Sequence, residues 1–228
     1  MRAGRGEEKQ HRCCPLSYQQ QGGSGRNPEE LLLMGGAREK LERLLASHCA
    51  PVLFRKKTAN LVAAEQELAA YLPEVLAGSR ISWIKLCSCR KYCHLLFYDR
   101  ERLERYLEKE EHQEFLRAYG YEGRELPEKL QLLAERYEGY QKRGGEFPHE
   151  IGLFLEYPLE DIEGFILHQG KDALECGYWK VYGNVDRARE VFRLYDRLRQ
   201  TLTALVAAGV SLKEGAAESA WQTYQQGY

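Results

Sequence analysis

From Val185 to Ala208 the apolar residues Ala188, Val191, Phe192, Tyr195, Leu198, Leu202, Leu205 and Val206 recur at three- and four-residue steps. That spacing predicts a long helix with one buried face, and Asn184 stands where its N-cap belongs. A helix of this length needs another layer to cover its stripe. The upstream sequence offers only short strands for that layer. Ile81 to Cys89 and Tyr92 to Tyr98 read as two strands joined at Arg90-Lys91, a hairpin. Val52 to Phe54 reads as a third, because Pro51 biases Ala50 towards extended geometry. Tyr178 to Tyr182 reads as a fourth.

The remaining segments read as helices. Asn27-Pro28-Glu29-Glu30 is a helix start, and Leu41, Leu44 and Leu45 make a stripe ending near Ser47. Arg55-Lys56-Lys57 is expected to be a solvated basic loop. Thr58-Ala59-Asn60 then opens a helix through Leu61, Leu68 and Leu72, kinked or split at Pro73. Asp99 caps a helix carrying Leu103, Tyr106 and Leu107, and further helices are expected over 112–119, 127–141, 149–155 and 159–168. Short strands among helices, without regular β-α-β alternation, predict a mainly helical α+β fold with one small mixed sheet that includes the hairpin. The expected organisation is a disordered leader over 1–26, a single domain over 27–210 and a loose tail over 211–228.

Composition narrows the function classes. Thirty-three basic against 34 acidic residues leave a net charge of -1, so binding nucleic acid through bulk charge is not expected. No apolar run reaches the roughly 18 residues that span a bilayer. Seven cysteines is an odd number, unevenly placed in a chain large enough to fold without crosslinks. Free thiols in a reducing, cytoplasmic setting are therefore expected.

Three constellations carry possible chemistry. The first is Cys49 as a nucleophile, with His149 as its base and Asp161 or Glu150 orienting the imidazole, since a thiol needs a neighbouring base to react near neutral pH. The second is the Cys87, Cys89, Cys93 and His94 cluster, dense enough in soft ligands for a metal. A two-residue hairpin turn would pair Cys89 with Tyr92 and Cys87 with His94, leaving Cys93 on the other face. A three-residue turn would put three thiols on one side and His94 on the other. The third is a pocket between the stretch from Phe147 to Ile166 and the strand at Tyr178, with His149, Glu150, Tyr178, Lys180 and Tyr182 as binding residues. Tyrosines flanking a lysine can hold a planar or anionic group by stacking and charge. The Walker-type G-x-x-x-x-G-K-[ST] loop, G-x-G-x-x-G, G-x-S-x-G and H-E-x-x-H are all missing, which excludes the families they define.

The sequence also resembles a known family. His48-Cys49-Ala50-Pro51, Ala59-Asn60-Leu61, Phe147-Pro148-His149-Glu150-Ile151-Gly152, Tyr157-Pro158-Leu159-Glu160-Asp161 and Gly177-Tyr178-Trp179-Lys180-Val181-Tyr182-Gly183 occur in the order found in domain-of-unknown-function family 3793, common in anaerobic Firmicutes. The resemblance covers roughly residues 37 to 200; the N-terminal leader and the cysteine-rich hairpin depart from it. It implies no reaction or cofactor, and at most a link to metal or redox physiology. The leading expectation is a small-molecule or cofactor-binding protein using the His149 and aromatic surface. The alternatives are a cysteine-dependent enzyme built on Cys49 and His149, and a module that binds a protein partner.

Overall fold

A computed structural model of the chain describes residues 35–89 and 91–216. The expected leader, the helix start at Asn27, the turn residue Arg90 and the tail from residue 217 lie outside the described residues. The elements in chain order are α1 (Ala37–Leu53), β1 (Ala59–Glu65), α2 (Gln66–Ala69), α3 (Leu72–Val75), β2 (Ile81–Cys89) and β3 (Tyr92–Asp99). There follow α4 (Arg100–Leu107), α5 (Glu110–Arg117), α6 (Leu126–Arg143), α7 (Ile151–Phe154), α8 (Leu159–Leu167), β4 (Glu175–Cys176), β5 (Lys180–Val181), α9 (Val185–Ala207) and α10 (Leu212–Gly215). The fold is α+β and mainly helical, with antiparallel pairing in both small sheets. Among the described residues no helix is long and apolar enough to cross a membrane.

Local signals set several boundaries. Asp99 accepts from the Arg102 backbone N–H at 3.2 Å to start α4, and Asn184 accepts from Arg187 N–H at 3.0 Å to start α9. A reciprocal Glu125–Glu128 capping box starts α6, and Gly144 ends it in the left-handed region at φ 66°.

The three-stranded sheet has the order β1-β3-β2. Leu95, Leu96 and Phe97 are consecutive and all buried, so the central strand is covered on both faces. His94 Nδ1 lies 2.9 Å from the Tyr137 hydroxyl of α6, whereas Asn60 Nδ2 donates to the His48 carbonyl of α1 at 2.7 Å. Asn60 and Ala63, the partner of His94, are three positions apart on β1 and so face opposite sides. Helix α1 therefore covers one face and α6 the other, with α9 lying along α1.

Two sequence expectations give way here. Val52–Phe54 forms no strand, because α1 continues through Pro51 to Leu53. Pro51 sits in the final turn, where Ala50, Pro51 and Val52 are all buried; that burial outweighs the extended bias on Ala50. The turn closes when the Pro51 carbonyl accepts from Lys56 and Lys57 N–H, at 2.8 and 3.0 Å, with Arg55 at φ 57°. The helix expected from Thr58 is instead strand β1. Alanine's helical preference is worth only tenths of a kcal/mol per residue, less than a seven-residue ladder on β3 that buries Ala59, Leu61, Val62 and Ala64.

The strand expected over Tyr178–Tyr182 shrinks to Lys180–Val181, since Gly177 N–H bonds the Trp179 carbonyl at 3.0 Å and turns the chain. The helix expected over 149–155 is the single turn α7.

Candidate functional site

A cavity of about 70 Å3, partly open to solvent, lies between the α7–α8 segment and the β4–β5 turn. Phe147, His149, Tyr157, Phe165, Tyr178 and Trp179 give it aromatic walls, with Ile151, Ile162, Cys176 and Lys180 between them. It occupies the place where the His149 stretch was expected to face the tyrosine-lysine segment.

Asp161, in the first turn of α8, holds the two sides together. Its carboxylate accepts from Trp179 Nε1–H at 2.7 Å, Tyr182 N–H at 2.7 Å and Gly183 N–H at 2.8 Å. The residue is 3% exposed, so these are charge-assisted bonds in a desolvated setting. Two glycines allow the close approach. A Cβ on Gly164 would stand 2.4 Å from the Tyr182 Cβ, and one on Gly177 would stand 2.1 Å from the Phe192 ring. Gly177→Ala is accordingly expected to cost about 1–3 kcal/mol by overpacking, read as a lower urea midpoint at unchanged slope.

The walls are ordered by ring contacts. His149 sits between Phe147 and Phe165, with centroids 5.3 and 5.6 Å away. Tyr157 and Trp179 lie 5.3 Å apart at 31°, and Trp179 meets Phe192 edge-on at 4.6 Å. The Tyr178 hydroxyl donates to Asp196 Oδ1 at 2.9 Å, and Lys180 Nζ donates to the Gly170 carbonyl at 2.5 Å. Burial pulls His149 below its ordinary range against the opposing Glu146 and Glu150 carboxylates, so its imidazole is neutral at pH 7.

Of the residues expected here, His149, Tyr178 and Lys180 line the cavity, as does Asp161, which was expected instead to orient the His149 imidazole. Glu150 follows another course: wholly buried, it accepts from the Tyr121 hydroxyl at 3.1 Å and from Arg136 Nε at 2.5 Å. Tyr182 stacks on His168, with centroids 5.5 Å apart at 12°. Both lie outside the cavity lining.

Cys49 and His149 do not meet in shared surroundings. Cys49 is packed in the core on α1, and burial pushes its thiol far up, with Lys57 opposing. His149 has Phe147, Phe165, Glu146 and Glu150 as its neighbours. Asp161, engaged by three donors of the 179–183 segment, acts as a clamp. In native protein, Cys49 is expected to react with iodoacetamide only as fast as the domain unfolds, while the exposed Cys176 reacts at once. Peptide mapping of a timed alkylation checks this, and early labelling of Cys49 would support its role as a nucleophile.

The hairpin adopts the two-residue-turn register. Cys89 pairs with Tyr92 and Cys87 with His94, while Cys93 pairs with Ser88 on the opposite face. Cys87 Sγ is 3.7 Å from His94 Nδ1, and Cys93 Sγ donates to the Ala64 carbonyl at 3.6 Å. Among the described residues no group of three or more His, Cys, Asp and Glu is arranged to hold a metal.

The feature that sequence reasoning missed is Lys57. Far from being a solvated loop residue, it is 2% exposed. Its ammonium donates to Asn60 Oδ1 at 2.8 Å and lies 5.2 Å from the Tyr157 ring centroid and 5.7 Å from that of Tyr195. Glu156 supports the same node, accepting from Thr58 N–H at 2.5 Å from a backbone at φ 57°. The aromatic partners were the available signal, but nothing local links Lys57 to residues a hundred positions away.

No curated protein and no solved structure matches the chain. Residues 45–214 match a family described as protein of unknown function (DUF3793), a span that includes Lys57 and the whole cavity lining. Covering well over half of the 228 residues, that match places the chain in the DUF3793 family.

Proposed function

We propose that this domain binds a small molecule in the cavity between α8 and the β4–β5 turn. The observation that carries the reading is an aromatic cavity whose two sides are joined by a buried carboxylate clamp. The arrangement favours binding over catalysis. Asp161, Tyr178, Trp179 and Lys180 all hold the fold together through hydrogen bonds, and the neutral His149 has aromatic rings beside it.

The test is a thermal-shift screen of small aromatic compounds against the full chain and against Ile162→Phe, which fills the cavity. Stabilisation of the parent by several degrees, absent in the variant, is the expected result. Compounds that stabilise both proteins equally would place binding elsewhere and overturn the reading.

A further inference from the structure

The cavity's polar atoms define what it accepts. Two charged side chains line it, Asp161 and Lys180, and their charges sum to zero. Both are engaged: three N–H groups converge on the Asp161 carboxylate, and the Lys180 ammonium donates to the Gly170 carbonyl while lying 5.9 Å from the Phe165 ring centroid. The Trp179 indole N–H and the Tyr178 hydroxyl are likewise committed, to Asp161 and Asp196. His149 differs. Its ring nitrogens form no hydrogen bond among the described residues, although its ring is fixed between Phe147 and Phe165.

We infer that the ligand is an uncharged, flat ring system presenting one hydrogen-bonding group to His149. This rests on the binding reading above and adds the chemical class. The flat shape follows from the walls, which are built largely of the Phe147, His149, Tyr157, Phe165, Tyr178 and Trp179 rings, surfaces suited to stacking and edge contacts with a ring. The lack of charge follows from desolvation. A buried phosphate, sulfonate or carboxylate needs a counter-charge and several donors of its own. The one cation of the lining, Lys180, is matched by the Asp161 carboxylate, so an added anion would stand in this cavity without a net counter-charge. The single polar group follows from His149, whose neutral imidazole offers one donor and one acceptor.

A matched pair of fluorescent probes tests the inference: phenylnaphthylamine, uncharged with one N–H, and anilinonaphthalene sulfonate, the same ring skeleton bearing an anion. Each is titrated into the full chain, Ile162→Phe and His149→Phe. Phe165→Ala, which widens the same cavity, serves as a second cavity variant where Ile162→Phe fails to fold. The uncharged probe is expected to bind at least about ten-fold tighter than the sulfonate. Ile162→Phe should abolish its binding, and His149→Phe should weaken it by about five- to ten-fold. Equal or tighter cavity-dependent binding of the sulfonate would overturn the uncharged class and leave the binding reading standing. Unchanged affinity in His149→Phe would overturn the role of His149. Insensitivity of both probes to both cavity variants would overturn the inference and the binding reading together.

Discussion

Asp161→Asn is expected to lower the unfolding free energy by about 3 kcal/mol, although it removes no carbon and little volume. The carboxylate accepts three hydrogen bonds, two at Oδ1 from the Tyr182 and Gly183 N–H groups and one at Oδ2 from the Trp179 indole. An asparagine that keeps its carbonyl oxygen on the backbone pair turns its amide N–H towards the indole N–H, donor against donor. Reversing the amide spares the indole bond and strands two backbone donors. Either way a buried polar group loses its partner, and that loss exceeds the modest net value of the bonds themselves. Urea denaturation followed by circular dichroism measures the change; a loss below about 1 kcal/mol would mean the clamp is dispensable. Because Trp179 forms part of the cavity wall, probe affinity should also fall where the variant is still folded. A stability loss without an affinity loss would separate the clamp from the site.

The same residue shows why the site was only partly legible. A carboxylate after Tyr157-Pro158 in the first turn of a helix can be seen in the sequence, but its donors lie 18 to 22 positions on, and only the folded turn at Gly177–Trp179 delivers them. The aromatic density around His149 and Tyr178 did point to the cavity, because residues that pack rings around space cluster within two short stretches. Local rules also worked where structure is local. Asn184 and Asp99 cap their helices, and the hairpin takes one of the two registers its cysteines allowed. They failed at Thr58–Glu65, a stretch whose alanines favour helix by tenths of a kcal/mol, while its partner strand lies some thirty residues downstream.

Lys57 gives the second large effect, in the pH dependence of stability. Burial pulls its amine from an ordinary 10.5 down to about 8, against the opposing pull of Glu156 and Cys49. Between those values the folded chain holds a neutral amine while the unfolded chain still holds the proton. The unfolded state then binds more protons, so raising the pH favours folding across this window. The cost of burying an ammonium is present at neutral pH and is relieved between about pH 8 and 10.5. The gap corresponds to about 3 kcal/mol. Tyr106 and Tyr195 have hydroxyls that burial raises, which lowers stability at higher pH, so the parent's own profile mixes the two trends. Comparison with Lys57→Met isolates the amine, because the thioether keeps a similar volume between the Tyr157 and Tyr195 rings and carries no charge. At pH 7 the variant should be no less stable than the parent, despite losing the Asn60 hydrogen bond and the ring contacts. From there to pH 10.5 the parent should gain about 3 kcal/mol on the variant. A difference that stays flat across the window would mean that Lys57 keeps its proton throughout, with Glu156 and the two rings compensating its burial in full.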